Sequence, residues 1–244
     1  MGRLSLALTL LQQDARPDQL AGMARFGINP EGRLGLSVPA MRRIARQLGH
    51  DHALALALWD PGIPDARIVA GMVAEPAKLT SRQMDQWAKD FASWDVCDQV
   101  CASAFVASPL AWHKVQVWAT RRGEFMRRAA FALLAALVVH DKRADNERFL
   151  AALVWVEAAA DDERNFVKKA VNWALRCIGK RNPALHLAAL AAAHRIQQKG
   201  TRSARWIAAD ALRELRSEAV LERLQQRASV SRFDEDQTVA GAGP

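Results

Sequence analysis

A chain of 244 residues that is 50% hydrophobic and 25% charged can bury a core without disulfides or metals, as one extended domain or as two small ones. Lysine and arginine outnumber aspartate and glutamate 34 to 26, a formal net charge of +8. Three of the acids, Asp234, Glu235 and Asp236, lie near the C-terminus, so the remaining body is more basic than the whole chain. Such an excess favours a polyanionic partner, nucleic acid first, because phosphate contacts release condensed counterions. Charge alone does not separate nucleic acid from an acidic protein. No window holds the roughly 18 uninterrupted apolar residues of a membrane span, and no cleavage pattern follows the short apolar stretch at the N-terminus. The expectation is a soluble, cytoplasmic protein, nucleoid-associated when bound to DNA, with no membrane partner.

Strand signals are almost missing: there is no tyrosine, β-branched runs are scarce, and alanine and leucine recur at three- and four-residue spacing. The chain therefore reads as all-α. Breaks fall at 60–64, 74–81, 107–111, 121–124, 180–184 and 198–203, where proline, glycine or polar clusters interrupt the periodicity. Between them the spacing predicts helices of about 10 to 18 residues.

In chain order, "GINPEGRLGLS" (27–37) has three glycines but no phosphate-binding pattern, and is expected to be a loop. "SVPAMRRIARQLG" (37–49) reads as a helix with Pro39 in its first turn and Arg42, Arg43 and Arg46 as basic surface. "DARIVAGMVA" (65–74) is another helix, carrying Arg67.

In "FASWDVCDQVCASAF" (91–105), Trp94 and Asp98 lie four residues apart, within about 40° of each other on a helix. Val96, Val100, Ala104 and Ala107 form the apolar arc, so Asp98 is expected to point away from the core, with Trp94 exposed or covered by a partner. The plain alternative is a partly buried tryptophan beside a solvated acid.

"EFMRRAAFALLAAL" (124–137) places Arg128 on one face with Ala132 and Ala135, small residues that would let a bulky backbone approach the arginine. In "NFVKKAVNWALRCIGKRN" (165–182), Lys169, Trp173, Arg176 and Lys180 share a face, while Val167, Ala170, Val171, Ala174 and Ile178 supply a separate core stripe. A ring flanked by cations suits nucleic acid, the cations neutralising phosphates and the ring packing on a sugar or base. An ordinary amphipathic helix with Trp173 at the core edge is the alternative. "ARWIAADALREL" (204–215) carries Arg205, and the tail over 229–244 reads as disordered.

Arg67, Arg128, Lys169 and Arg205 each open a small, apolar helix, at separations of 61, 41 and 36 residues. Units of roughly 30 to 40 residues lie near the helix-pair range of HEAT-like α-solenoids. The expected architecture is thus one HEAT-like α-solenoid over 1–228 with a concave basic face, where each basic residue adds to a helix dipole that favours phosphate; an irregular helical bundle is the alternative. Cys97, Cys101 and Cys177 have no zinc-site spacing and read as reduced core thiols. The six histidines form no ligand pair and are expected at the surface or at caps. No metal or cofactor is expected.

"MARFGI", "GLSVPAMRRIARQLG", "WDVCD", "RRAAFALLAAL" and "KKAVNWALRCIGKRNP", in this order, resemble the AlkD-like DNA alkylation repair proteins, HEAT-like repeat DNA glycosylases, over roughly 20–218. The resemblance implies an active surface of Trp94, Asp98, Arg128 and Trp173, acting on cationic alkylated purines such as 3-methyladenine and 7-methylguanine in double-stranded DNA, without flipping the base into a deep pocket. In that reading Asp98 stabilises the developing sugar cation, Trp94 and Trp173 cradle it, and Arg128 holds a phosphate. Lys169, Arg176, Lys180, Arg67, Arg42, Arg43 and Arg205 are the expected DNA-binding set, on a chain acting as a monomer. With no Schiff-base lysine expected beside Asp98, base release without strand cleavage follows. The family also contains members that bind DNA without excising bases. A non-catalytic solenoid for branched or distorted DNA is therefore the second expectation, and a protein-binding scaffold the third.

Overall fold

A computed structural model describes residues 2–226, and the expected disordered tail lies outside them. All regular structure among the described residues is helical. The helices include α1 (Arg3–Gln13), α2 (Leu20–Arg25), α3 (Val38–Leu48), α4 (His52–Trp59), α5 (Pro64–Val73), α6 (Ser81–Lys89), α7 (Trp94–Ser103), α8 (Ala111–Ala119), α9 (Glu124–His140), α10 (Asn146–Ala159), α11 (Asn165–Gly179), α12 (Pro183–Gln198) and α13 (Arg202–Leu215), and residues 218–226 are helical as well. Short polar side chains start many of them. Ser37, Asp51, Asp145, Asn182 and Thr201 each accept a backbone N–H of the first turn, and Thr80 forms a reciprocal capping box with Gln83. The stretch read as one domain forms two compact units, one up to Ala136 and one from Leu137 onward.

In the first unit, helices α3 to α8 are only 8 to 11 residues long, several below the expected length. Their core holds a run of rings: Trp59 stacks on Trp87 at 4.1 Å, and Phe91, Phe105 and Trp118 continue the contact. Val96, Val100 and Ala104 are buried as expected. Ala107 is not: α7 ends at Ser103, and Ala107 is exposed in the short 3-10 helix that follows. Helices are tied to later ones at a recurring separation. Cys97 to the Phe125 carbonyl and Cys101 to the Ala129 carbonyl span 28 residues, Lys114 to Asp85 spans 29, and Trp59 to Asp90 spans 31.

In the second unit the helices are longer, 14 to 16 residues, and so is the offset. Asn172 to Asp210, Arg176 to Glu214, Arg195 to Glu157 and Lys199 to Asp161 all span 38 residues, and Arg181 to the Asp141 carbonyl spans 40. A helix pair with shorter members closes its repeat in fewer residues, which is why the two units differ. The expected core stripe of α11, from Val167 to Ile178, is fully buried, and Gly179 continues it. A β-carbon at Gly179 would fall 2.7 Å from a Leu215 methyl and 2.9 Å from the Ala189 side chain, so only glycine permits this approach of α12 and α13. Of the surface and capping roles expected for the histidines, His186 takes the second: it is buried, with Nδ1 2.9 Å from the carbonyl of Gly179, the last residue of α11. No helix of the described residues is long and apolar enough to cross a membrane.

Candidate functional site

The first turn of α7 and the start of α9 build one cluster in the first unit. The thiols of Cys97 and Cys101 face the carbonyls of Phe125 and Ala129, one turn apart on α9, and so fix the register of the two helices. Arg128 lies between those carbonyls in sequence and meets Asp98 side-on. Its Nε donates to Oδ1 at 2.9 Å and its Nη2 to Oδ2 at 2.7 Å, a two-pronged pair. The Trp94 ring stands 5.9 Å from the guanidinium carbon, and its Nε1 donates to the Phe26 carbonyl at 3.1 Å. Three of the four expected site residues are therefore in one cluster.

Their arrangement corrects the sequence reading in three respects. Asp98 does not stand away from the core as a solitary anion: its side chain is 15% exposed and that of Arg128 is 7% exposed. Arg128 does not reach for a phosphate with an open guanidinium, because Nε and Nη2 are engaged by Asp98. Ala132 and Ala135 are buried in the core and open no approach to Arg128. Burial pushes the Asp98 carboxyl above its ordinary value, and the opposing Arg128 charge does not cancel that rise. Burial also pushes the Cys97 thiol well up, which makes it a poor nucleophile.

The sequence reading missed a second ion pair beside the first. Arg33, from the segment read as a plain loop, reaches Asp95 with Nη2 to Oδ1 at 2.6 Å, and the Ser93 hydroxyl donates to the same oxygen at 2.5 Å. The signal for it was the first acid of "WDVCD", Asp95, one turn before Asp98.

Trp173 is half-buried on α11 in the second unit, and Lys169 is exposed there without an ion-pair partner among the described residues. The other cations of that face are not open. Arg176 and Lys180 both pair with Glu214 of α13, and Arg176 also lies 3.6 Å from Asp210. Burial would raise the Glu214 carboxyl, but the Lys180 hydrogen bond and the two cationic charges outweigh it and hold it below its ordinary value. A second ring there is cation-covered: the Lys168 ammonium lies 5.4 Å from the centre of exposed Trp206.

The remaining expected DNA contacts divide. Arg67 turns inward: it donates to the Asp90 carbonyl at 2.9 Å and lies 5.1 Å from the centre of the Trp59 ring. Arg43 is exposed but paired with Asp14. Arg205 is exposed and donates to the Gly200 carbonyl. Arg42 and Arg46, one turn apart on α3, are exposed and line a groove of about 570 Å³ with Pro39, Ala45, Gly49, His50 and Met72. Among the described residues, no group of three or more His, Cys, Asp or Glu could hold a metal ion.

A solved structure described as a new family of proteins related to the HEAT-like repeat DNA glycosylases, with affinity for branched DNA structures, aligns over 86% of this chain and 94% of its own, at 18% identity and a TM-score of 0.72. That likeness assigns the fold: HEAT-like repeats of paired helices. A designed armadillo repeat protein aligns over 72% of this chain and 92% of its own, at 16% identity and a TM-score of 0.33. No curated protein matches the chain. The family model described as "DNA alkylation repair enzyme" matches residues 7–215, which take in α7, α9, α11 and α13. The chain belongs to the DNA alkylation repair enzyme family.

Proposed function

We propose that the protein is a monofunctional DNA glycosylase that hydrolyses the N-glycosidic bond of cationic alkylated purines, 3-methyladenine and 7-methylguanine, in duplex DNA. The observation that carries this reading is the Asp98 carboxylate, locked from behind by a two-pronged arginine and standing beside Trp94. A purine alkylated at N3 or N7 is cationic and leaves as a neutral base, so departure needs no general acid. Positive charge develops instead on the deoxyribose. A carboxylate held in one orientation stabilises that charge without reorganising, and such groups are worth about 10²- to 10³-fold in rate.

Arg128 therefore acts as the positioning partner of Asp98. Each carboxylate oxygen keeps lone-pair capacity beyond the bond it accepts from the guanidinium. Asp98 is the more exposed member of the pair, so its outer edge aligns water for attack on the anomeric carbon. The Trp94 ring face adds a cation–π contact to the sugar, worth ~1–2 kcal/mol once water is excluded. Approach from the backbone side, without drawing the base into a pocket, is part of the family resemblance. Arg42, Arg46 and Lys169 bind phosphates, and Trp173 packs on the DNA surface of the second unit.

The test is chromatographic release of 7-methylguanine and 3-methyladenine from methylated duplex DNA. Wild type is expected to release both, and Asp98→Asn to be slower by about 10²- to 10³-fold. Equal rates would remove Asp98 from the reaction. A second reading is favoured by the same ion pair, since Arg128 already neutralises Asp98: a protein that binds distorted or branched DNA without excising bases. No release by wild type, together with salt-sensitive binding to four-way junctions, would establish that reading instead.

A further inference from the structure

The segment 26–37 between α2 and α3 is tied down along its length. The Arg16 amide donates to the Leu34 carbonyl at 2.8 Å. Gly35, at φ 83°, lets that crossing close: a β-carbon there would lie 2.2 Å from the Arg16 carbonyl oxygen. Asp65, fully buried on α5, accepts the Leu34 and Leu36 amides at 3.0 and 2.9 Å. From this fixed segment two groups reach the first turn of α7. The Phe26 carbonyl holds the Trp94 indole N–H, and Arg33, its side chain 1% exposed, holds Asp95 while its Nε donates to the Asn29 carbonyl at 2.8 Å.

Burying a guanidinium is costly until its partner repays the lost hydration, and a methionine would fill much of the same space. The position of Asp95 gives the cation a purpose. Asp95 lies one turn before Asp98, on neighbouring positions of α7 where like charges oppose each other. The charged and titratable groups facing Asp98 are Arg128 from α9 and Asp95 and Cys97 from α7 itself. Among the described residues, the cation paired with Asp95 is Arg33.

We propose that segment 26–37 is a positioning strap for Trp94 and Asp98, with Arg33 as its charged anchor: by neutralising Asp95 it leaves the charge at this end of α7 to the Asp98–Arg128 pair. The proposal rests on the reading of Asp98 as the carboxylate of base excision, and makes Arg33 and Asp95 positioning residues for it. In wild type, Asp95 already pushes the Asp98 carboxyl upward, secondary to burial. Without Arg33 that push is unscreened.

The test follows the Asp98 carboxyl carbon by NMR through a pH titration of the full chain, in parallel with the pH profile of 7-methylguanine release. Arg33→Met is expected to raise the Asp98 midpoint by about one pH unit, a tenfold change in its protonation ratio, and to move the acid limb of activity with it. Arg33→Met combined with Asp95→Asn is expected to return both to the wild-type position or below. A packing role alone predicts no such return. If Arg33→Met does not fold, Asp95→Asn alone is read, with a lowered midpoint expected. An unchanged midpoint in a folded variant, or a double variant that stays shifted, overturns the proposal. Absence of base release by wild type overturns the glycosylase reading only, since the NMR midpoint still reports on the strap.

Discussion

The two units differ in their most deeply set ion pairs. In the first, beside exposed pairs such as Arg43–Asp14 and Lys78–Glu75, three pairs have a buried cation: Arg33 holds Asp95, Lys114 holds Asp85 and Arg128 holds Asp98, each with its acid nearer the surface. In the second, Arg195–Glu157, Lys199–Asp161 and the Arg176–Lys180–Glu214 cluster lie along the outside and staple a helix to the one a repeat away. Buried cations fix a geometry at the cost of desolvation. Exposed pairs add little and are easily exchanged. A site that must present a carboxylate in one orientation therefore belongs in the first unit, and a surface that tunes its affinity for DNA belongs in the second.

The contrast is broken most severely at Asp98. Asp98→Ala leaves Arg128 buried beside an empty site, and removal of one partner of such a pair costs about 3–5 kcal/mol. For a chain of this size that corresponds to a melting temperature lower by roughly 10 °C, read by calorimetry. Asp98→Asn keeps an acceptor for one prong and is expected to lose less than half as much. Equal stability of wild type and Asp98→Ala would mean that the pair does not organise the α7–α9 contact.

The helical class, the repeat and the Trp94–Asp98 pair were legible in the sequence because each leaves a periodic mark: apolar spacing, basic residues near helix starts, and a Trp and an Asp one turn apart; Arg128 was joined to that pair by the family resemblance. Partners separated by a repeat leave no such mark. Arg176 and Lys180 read as open cations because Glu214 stands 38 and 34 residues away, and Arg67 because its acceptor is the Asp90 backbone. Arg33 was hidden differently, as the one inward-facing charge in a glycine-rich loop. The first acid of "WDVCD", Asp95, calls for a counter-charge but does not say which cation supplies it.

Glu214→Gln sharpens the same comparison. It releases Arg176 and Lys180, so duplex binding is expected to tighten and its logarithmic salt slope to steepen by about one to two units, near 0.9 per phosphate contacted. Anisotropy titrations between low and moderate salt read this. The stability cost is expected to be only about 1 kcal/mol, since the group is partly exposed and screened. Asp98 and Glu214 also answer pH with opposite signs. Glu214 titrates below its ordinary value in the folded chain, so its contribution is present above the unfolded-state pKa and lost as pH falls through the folded one. The stability gap between wild type and Glu214→Gln should therefore shrink on acidification. Asp98 is raised, so the folded chain binds its proton more readily than the unfolded one, and the gap between wild type and Asp98→Asn should widen over the same interval. If both gaps move the same way, the burial contrast between the two sites is not what sets their charge.

The smallest effect is expected where the geometry looks strongest. Arg195 meets Glu157 with both prongs, at 2.9 and 2.6 Å, a pairing as well formed as that of Arg128 with Asp98. Its side chain is 56% exposed, however, and water and salt screen what the distances suggest. Arg195→Gln should cost no more than about 0.5 kcal/mol in urea unfolding, and that small cost should fade in 0.5 M salt. Arg128→Gln measured alongside should cost several-fold more and respond little to salt, because its surroundings exclude the ions that would screen it. Two pairs of matching geometry then differ only by the depth at which they sit, so a similar cost for both would show that helix stapling, and not burial, is what each arginine contributes.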